Sequence, residues 1–368
     1  MENSEYIRGI TEAGLDICEK SDSFLQSAMW GKFKARHGWK SGAYLVDWAG
    51  YEKLPLLALS RELFPGFTFA YIPWGPELPC GFPRNEKPFV LRELALKLKP
   101  FLARNAALIR FEPPWFAEDA EFALRNEDAA FLSSGFKRSA AVVQPPDTAL
   151  VSLELSHEEI LAAMKPKWRY NISLSEKKGV TVEDADVQGL EIFYRLMRET
   201  AARDGIALRG IDYYKTLFDV CEKYPGKNGR SPLRLYTAYH EEDALAAIAV
   251  LFWGKNATYL YGASSNIKRN LMAAYALQWK AMKDAKDAGC KQYDLFGMPP
   301  DGDPNHPMAG LYRFKTGFGG KIIHRPGTWD YPLKPAAYFF FSKAEALRKK
   351  LRDLKKKLIR DAPRLKRG

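Results

Sequence analysis

Histidine is scarce in this chain. There are five in 368 residues (His37, His157, His240, His306 and His324), and none forms a His-Glu-x-x-His pair. A zinc hydrolase has no ligand set to start from, and the lack of a Gly-x-Ser-x-Gly elbow removes the serine hydrolases built on one. Cysteine is equally thin. Cys18, Cys80, Cys221 and Cys290 lie far apart with no Cys-x-x-Cys pair, so neither a zinc site nor a disulfide framework is indicated. The segment Asp301-Gly302-Asp303 opens like a calcium loop, but Tyr312 stands where the twelfth-position glutamate belongs, so it reads as a plain loop. No stretch approaches the roughly 20 apolar residues of a spanning helix, and residues 1–14 lack an apolar signal region. These absences predict a soluble, cytoplasmic protein without a metal or other cofactor.

Aromatics are plentiful, with 9 Trp, 18 Tyr and 22 Phe, enough for real cores and for pockets that stack a ligand. The length predicts two domains. The net charge of +12 is unevenly placed, because residues 343–368 alone carry +9. Such a tail suits nucleic acid, anionic lipid or a phosphorylated substrate, or is a solvated helix that aids solubility.

One element order is predicted twice. In the second half, strands at 234–239, 244–253 and 257–263 precede a polar loop, a helix at 271–288 closed by Gly289, and a fourth strand at 290–298 ended by Pro299-Pro300. In the first half, strands at 42–48, 54–63 and 67–72 precede the loop Pro73-Trp74-Gly75-Pro76, a helix at 88–104 and a strand at 107–112. Helices are predicted at 27–36, 156–178 and 189–204. This order matches the core of the GNAT acyltransferase fold, which splays two strands to admit an acyl donor; chance recurrence of a common α+β pattern is the alternative. The two prolines of Gln144-Pro145-Pro146-Asp147 mark an extended crossing between the halves.

A coenzyme A pyrophosphate would need glycines where the helix after strand three begins. That place reads Asn266-Ile-Lys-Arg269-Asn270-Leu-Met-Ala273 in one half and is proline-rich in the other. Residues 310–320 gather cation, aromatic and glycine, in Arg313, Phe314, Lys315, Gly317, Gly319 and Gly320. The glycines would let the backbone approach a ligand, or would form a hairpin with exposed cations. The basic segment 164–171, with Trp168 and Tyr170, reads as a phosphate-touching helix or as a solvated one.

At these residues the chain resembles the Fem group of peptidoglycan-bridge aminoacyltransferases. The resemblance rests on Phe24-Leu-Gln26-Ser27, Trp30-Gly31-Lys32-Phe33-Lys34, Tyr71-Ile-Pro73-Trp-Gly75-Pro76, Lys167-Trp-Arg169-Tyr170-Asn171, Glu199-Thr200-Ala-Ala-Arg203-Asp204-Gly205, Tyr259-Leu-Tyr261-Gly262-Ala-Ser264-Ser265, Tyr293-Asp294-Leu-Phe-Gly297 and Tyr312-Arg-Phe314-Lys315-Thr-Gly317, in the family's order. It implies two tandem GNAT-like domains, residues 1–146 and 147–325, with residues 326–368 returning to the first. It implies no cofactor, aminoacyl-tRNA as donor, and a lipid-linked or nucleotide-linked peptidoglycan precursor as acceptor. The long coiled-coil arm of the FemA type is missing, so the chain is nearer the FemX type, and a monomer is expected. The implied acceptor site is Lys34, Arg209, Tyr213 and Tyr261, with Tyr259 as the alternative to Tyr261. Phe314 and Lys315 match the family's Phe-Lys, with Lys315 beside the oxyanion. Glu112-Pro113 stands where an Asp-Pro has been a candidate base.

Two other functions stay open: a coenzyme A-dependent N-acyltransferase, and a non-catalytic RNA- or membrane-binding protein. The tail is predicted to be a basic amphipathic helix, with Leu347, Leu351, Leu354 and Leu358 on one face and Lys349, Lys350, Arg352, Lys356 and Lys357 around it. It is expected to lie on an anionic membrane face or on tRNA, unless the leucines pack on the first domain.

Overall fold

The computed structural model describes residues 5–83, 86–118, 128–226 and 229–361, without the side chains of residues 186, 352, 353 and 355–361. The side chains of Arg352, Lys356, Lys357 and Leu358 therefore lie outside the described residues.

Two seven-stranded sheets organise the chain. The first holds β1 (Ile7–Ala13), β2 (Lys40–Trp48), β3 (Lys53–Phe64), β4 (Phe67–Ile72), β5 (Ala106–Phe111), β6 (Lys137–Arg138) and β14 (Trp329–Pro332), in the order β1-β2-β3-β4-β5-β14-β6. The second holds β7 (Asp147–Ser152), β8 (Thr181–Asp184), β9 (Leu233–His240), β10 (Asp243–Trp253), β11 (Asn256–Ser264), β12 (Gln292–Asp294) and β13 (Lys321–His324), in the order β13-β7-β12-β11-β10-β9-β8. In each sheet three antiparallel strands are followed by a helix (Lys87–Leu98 or Ala273–Asp287) and a parallel fourth strand. The expected order thus occurs twice. The last strand, β14, returns to the first sheet and pairs between β5 and β6.

The two parallel pairs differ in how far they stay together. β4 and β5 pair from Thr68 to Ile72, and backbone bonds continue beyond, from Glu112 to Ile72 at 3.1 Å and from Gly75 to Glu112 at 3.2 Å. That pair is closed. β11 and β12 pair only over Asn256–Thr258, while β11 runs on to Ser264. The predicted fourth strand at 290–298 is therefore cut to Gln292–Asp294. Leu295 bonds instead to Ala149, and Phe296 takes a left-handed backbone, φ 56°, that turns the chain out of the sheet. Only the second sheet opens a gap.

The predicted helix at 156–178 is two, His157–Ala163 and Pro166–Lys177. Ser156 and Glu159 form a capping box on the first, and Pro166 opens the second, where its missing N–H costs nothing. A shared apolar core joins the halves: Phe24, Trp30, Phe33, Phe69 and Tyr71 from the first contact a cluster holding Phe193, Tyr214, Phe218 and Leu251 from the second.

Candidate functional site

Ser27 caps the helix Ala28–Ala35 by accepting a bond from the Trp30 amide at 3.1 Å, which sets Lys34 in its last turn. Gly205, left-handed at φ 65°, ends the helix Leu190–Asp204, and Gly210 starts the helix Ile211–Cys221. Arg209 thus stands just before a helix whose first turn carries Tyr213, and its guanidinium lies 5.4 Å from that ring. Lys34 sits over Trp39 at 5.0 Å and Trp30 at 5.7 Å; Arg61, from β3, covers Trp39 from 4.5 Å. Burial, with Arg209 and Arg61 adding like charge, lowers the Lys34 pKa to about 8. Burial first, then Arg209 and Arg110, lower Arg61 as well. None of the three cations pairs with a carboxylate among the described residues. Three unneutralised cations on an aromatic floor are a site for a multiply charged anion.

β11 joins this site to the rest. Its pairing with β10 slips at Leu260, so Tyr261 faces Ala249 and Tyr259 faces the next residue, Val250. One extra residue in the strand sends the two tyrosines to opposite faces of the sheet. Tyr261 joins the core of the cation cluster, edge-on to Tyr214 at 5.2 Å and interacting with the Tyr213 hydroxyl. Burial raises its pKa well above the ordinary value, so the phenol stays protonated. Tyr259 joins the core on the other face. Its phenol folds over Gly262, where a Cβ would lie 1.8 Å from the hydroxyl, so any side chain there would displace the ring.

On that other face lies a cleft of about 1590 Å³, beside the stretch of β11 that β12 leaves unpaired and lined by Tyr259, Gly262, Ser264, Met272, Tyr275 and Phe314 among others. Arg203, Lys268, Arg269 and Asn270 line it too. Lys315, next to Phe314 of the cleft wall, is 5% exposed and lies 5.0 Å from the Tyr259 ring. Its ammonium donates to the carbonyls of Phe296 at 3.0 Å and Gly297 at 2.8 Å, the residues where the chain leaves β12. Burial lowers its pKa to about 7, with Asp294 opposing. Between Lys315 and Lys34 runs a series of aromatic contacts: Phe296 to Trp74 at 5.6 Å, Trp74 to Phe24 at 6.3 Å and Phe24 to Trp30 at 5.4 Å.

The predicted residues therefore fall into two groups on either side of β11: Lys34, Arg209, Tyr213 and Tyr261, then Phe314, Lys315 and Tyr259. Glu112 belongs to neither. It is 2% exposed, and its carboxylate accepts from the Val143 and Gln144 amides at 2.9 Å each, from Thr328 Oγ1 at 2.7 Å and, in a short bond, from the Tyr71 hydroxyl. It ties β5 to the crossing between the halves and to the segment before β14.

One reading of the sequence needs correction. Residues 309–316 form a helix, Ala309–Thr316, rather than a hairpin, and the glycines after it approach the chain itself. A Cβ on Gly317 would lie 2.1 Å from the Trp168 ring, on Gly319 2.5 Å from the Ala163 carbonyl, and on Gly320 2.9 Å from the Leu150 backbone. Their smallness serves packing. The segment 164–171 is a helix start whose Lys165, Lys167 and Tyr170 are exposed, so both readings of it stay open. Trp168 is buried and donates to the Phe314 carbonyl at 2.9 Å, and Arg169 holds the carbonyls of Ala162 and Met164. Sequence reasoning does not reach Arg61. A cation near the end of an otherwise apolar strand was its signal, but its nearness to Lys34 and Arg209 is a tertiary fact.

The sequence pattern of the FemAB family matches residues 17–227 and 233–346. The lipid II:glycine glycyltransferase of Staphylococcus haemolyticus (strain JCSC1435) is 24% identical over 85% of this chain and 89% of that protein. The protein of that name from Staphylococcus aureus (strain MRSA252) is 25% identical over 89% and 93%. The crystal structure of FemX superposes with a TM-score of 0.76 and 21% identity, covering 90% of this chain and 99% of that one. A tandem GNAT protein from the clavulanic acid pathway reaches a TM-score of 0.50 at 11% identity over 88% and 98%. The fold is thus of the tandem GNAT-like kind.

Proposed function

The chain belongs to the FemAB family, and on that premise we propose that it is an aminoacyltransferase that lengthens the stem peptide of a lipid-linked peptidoglycan precursor, with aminoacyl-tRNA as donor. One observation carries this reading. A single strand, β11, separates an unneutralised three-cation site from a cleft large enough for an acyl group and part of its carrier, and places one tyrosine in each. The cations suit the acceptor's diphosphate; the splayed gap suits an acyl group. The cleft's start at Met272–Ala273 lacks the glycines that a coenzyme A pyrophosphate would need, and Lys268 and Met272 are themselves left-handed there.

The reaction is aminolysis of an ester. The acceptor amine, as free base, attacks the aminoacyl carbonyl carbon. The resulting oxyanion collapses, the bond to the tRNA ribose oxygen breaks, and the proton lost by the amine ends on that leaving oxygen. Lys34, Arg61 and Arg209 hold the diphosphate, and Tyr213 and Tyr261 add hydrogen bonds. Phe314 and Tyr259 wall the acyl pocket. Lys315 stabilises the oxyanion as its ammonium and, through Phe296 and Gly297, keeps the gap open. Glu112, with its oxygens already engaged by four donors, acts as a positioning residue. The relatives it resembles are named for glycine transfer to lipid II.

Incubation with pooled aminoacyl-tRNA and lipid-linked precursor should give the precursor a mass gain of one amino acid, abolished by ribonuclease, and the gain identifies the residue moved. Transfer from acetyl-CoA alone, insensitive to ribonuclease, would sink the proposal.

A further inference from the structure

We infer that the C-terminal helix Pro335–Asp361 is a docking surface for an anionic lipid membrane, and that it sets a lipid-linked acceptor against the cation cluster. The part concerning the acceptor rests on the function proposed above; the surface does not.

The root of this helix is fixed. Arg110, 4% exposed on β5, donates to Asp330 at 2.7 and 2.9 Å and to Glu345 of the helix at 3.0 Å twice. Ala337 and Phe341 are buried in the core that also holds Leu108, Phe69 and Tyr71. Beyond that root the helix stands clear of the sheets, and its apolar side chains are bare. Phe340 is 69% exposed, Leu347 and Leu351 58% each and Leu354 56%. They recur at steps of seven, four and three residues, so they form one stripe along the helix. Lys343, Arg348 and Lys350, all exposed, flank it. The leucines do not pack on the first sheet, which removes the bland alternative for them.

Charge chooses the occupant. A second copy seated on this stripe would bring the +9 of residues 343–368 against another +9. An RNA would use the cations and gain nothing from leucines. An anionic lipid surface uses both, taking the stripe into the acyl boundary while the flanking cations reach the headgroups. Position agrees. Arg61 pairs with Phe69, Phe69 with Leu108, and Arg110 lies two residues further along β5, so the helix roots on the sheet face that carries the cation cluster. A diphosphate held at headgroup level and the cations meant for it then share one side of the molecule.

The test uses the full chain, vesicles of phosphatidylglycerol with phosphatidylcholine, and vesicles of phosphatidylcholine alone. The protein should sediment with the first, in a salt-sensitive way, and hardly with the second. The triple variant Leu347→Glu, Leu351→Glu, Leu354→Glu should bind at least about tenfold more weakly, with an unchanged circular dichroism spectrum. It should lose turnover on vesicle-borne precursor while keeping that on detergent-solubilised precursor. Unaltered vesicle binding by the variant overturns the inference. So does a dimer in light scattering that the variant dissolves, or binding to tRNA in place of vesicles. Stripe-dependent vesicle binding without turnover on any precursor supports the surface and removes only the proposed reaction.

Discussion

At the scale of single residues, the site works by leaving charge unneutralised. Lys34, Arg61 and Arg209 repel one another, and burial costs Lys34 part of its preference for the charged form. A dianion or trianion relieves both. Replacing Arg61 with alanine should raise KM for the acceptor by about ten- to a hundredfold, the worth of roughly 1.5–3 kcal/mol for a charged hydrogen bond, with kcat nearly unchanged. Steady-state kinetics at varied acceptor concentration would check it, and an equal fall in kcat would place Arg61 at the reacting atoms instead. Lys315 differs because it is enclosed. Lys315→Ala should lower turnover by about two to three powers of ten, as loss of an oxyanion partner does. Its pKa is lowered to about 7, so its ammonium is present below that pH and lost above it. The rate advantage of the unaltered enzyme over Lys315→Ala should therefore shrink as pH rises through about 7. An advantage that grows there would make Lys315 a base.

Elements act here through where they stop. β12 ends after three residues because Phe296 turns away, and the length thus withheld from pairing with β11 is the gap. β11 gains one residue at Leu260, and that insertion puts Tyr261 with the cation cluster and Tyr259 with the cleft. The C-terminal helix is held at its root by one buried guanidinium between two carboxylates. Arg110→Met should leave Asp330 buried without its partner and lower stability by about 3–5 kcal/mol. Urea unfolding would register it as a lower midpoint at an unchanged slope. A shift below about 1 kcal/mol would mean that Glu345 and Asp330 find other partners.

For the whole molecule the question is how two sheets keep their register. Glu112 answers part of it, since its four donors come from β4, the crossing before β7 and the segment before β14. A pin and a base predict opposite patterns. Glu112→Gln retains a carbonyl oxygen for the two amides and Thr328, and should keep most of the turnover. Glu112→Ala strands those donors and should cost about 3 kcal/mol of stability together with activity. Parallel melting and rate measurements on both variants decide it. A glutamine variant that folds normally but loses turnover by orders of magnitude would restore the base.

The sequence alone carries the repeated element order, because strand and helix periodicities and turn residues are local, and they recur from residue 40 to residue 111 and again from 233 to 294. It also carries the family, through short runs kept in order, and with them the expectation of Lys34, Arg209, Tyr213 and the Phe314-Lys315 pair. It could not decide between Tyr259 and Tyr261, since a bulge depends on how the partner strand registers. It could not find Arg61, whose meaning comes from residues 27 and 148 positions away. It read the glycines at 317, 319 and 320 as room for a ligand, when Trp168, Ala163 and Leu150 fill that room. Nor could it say which way the leucine stripe of the last helix points. The tertiary structure decided it: the helix is rooted where Arg110 meets Glu345, and residues 347–351 beyond are exposed on every side, so the leucines meet no sheet.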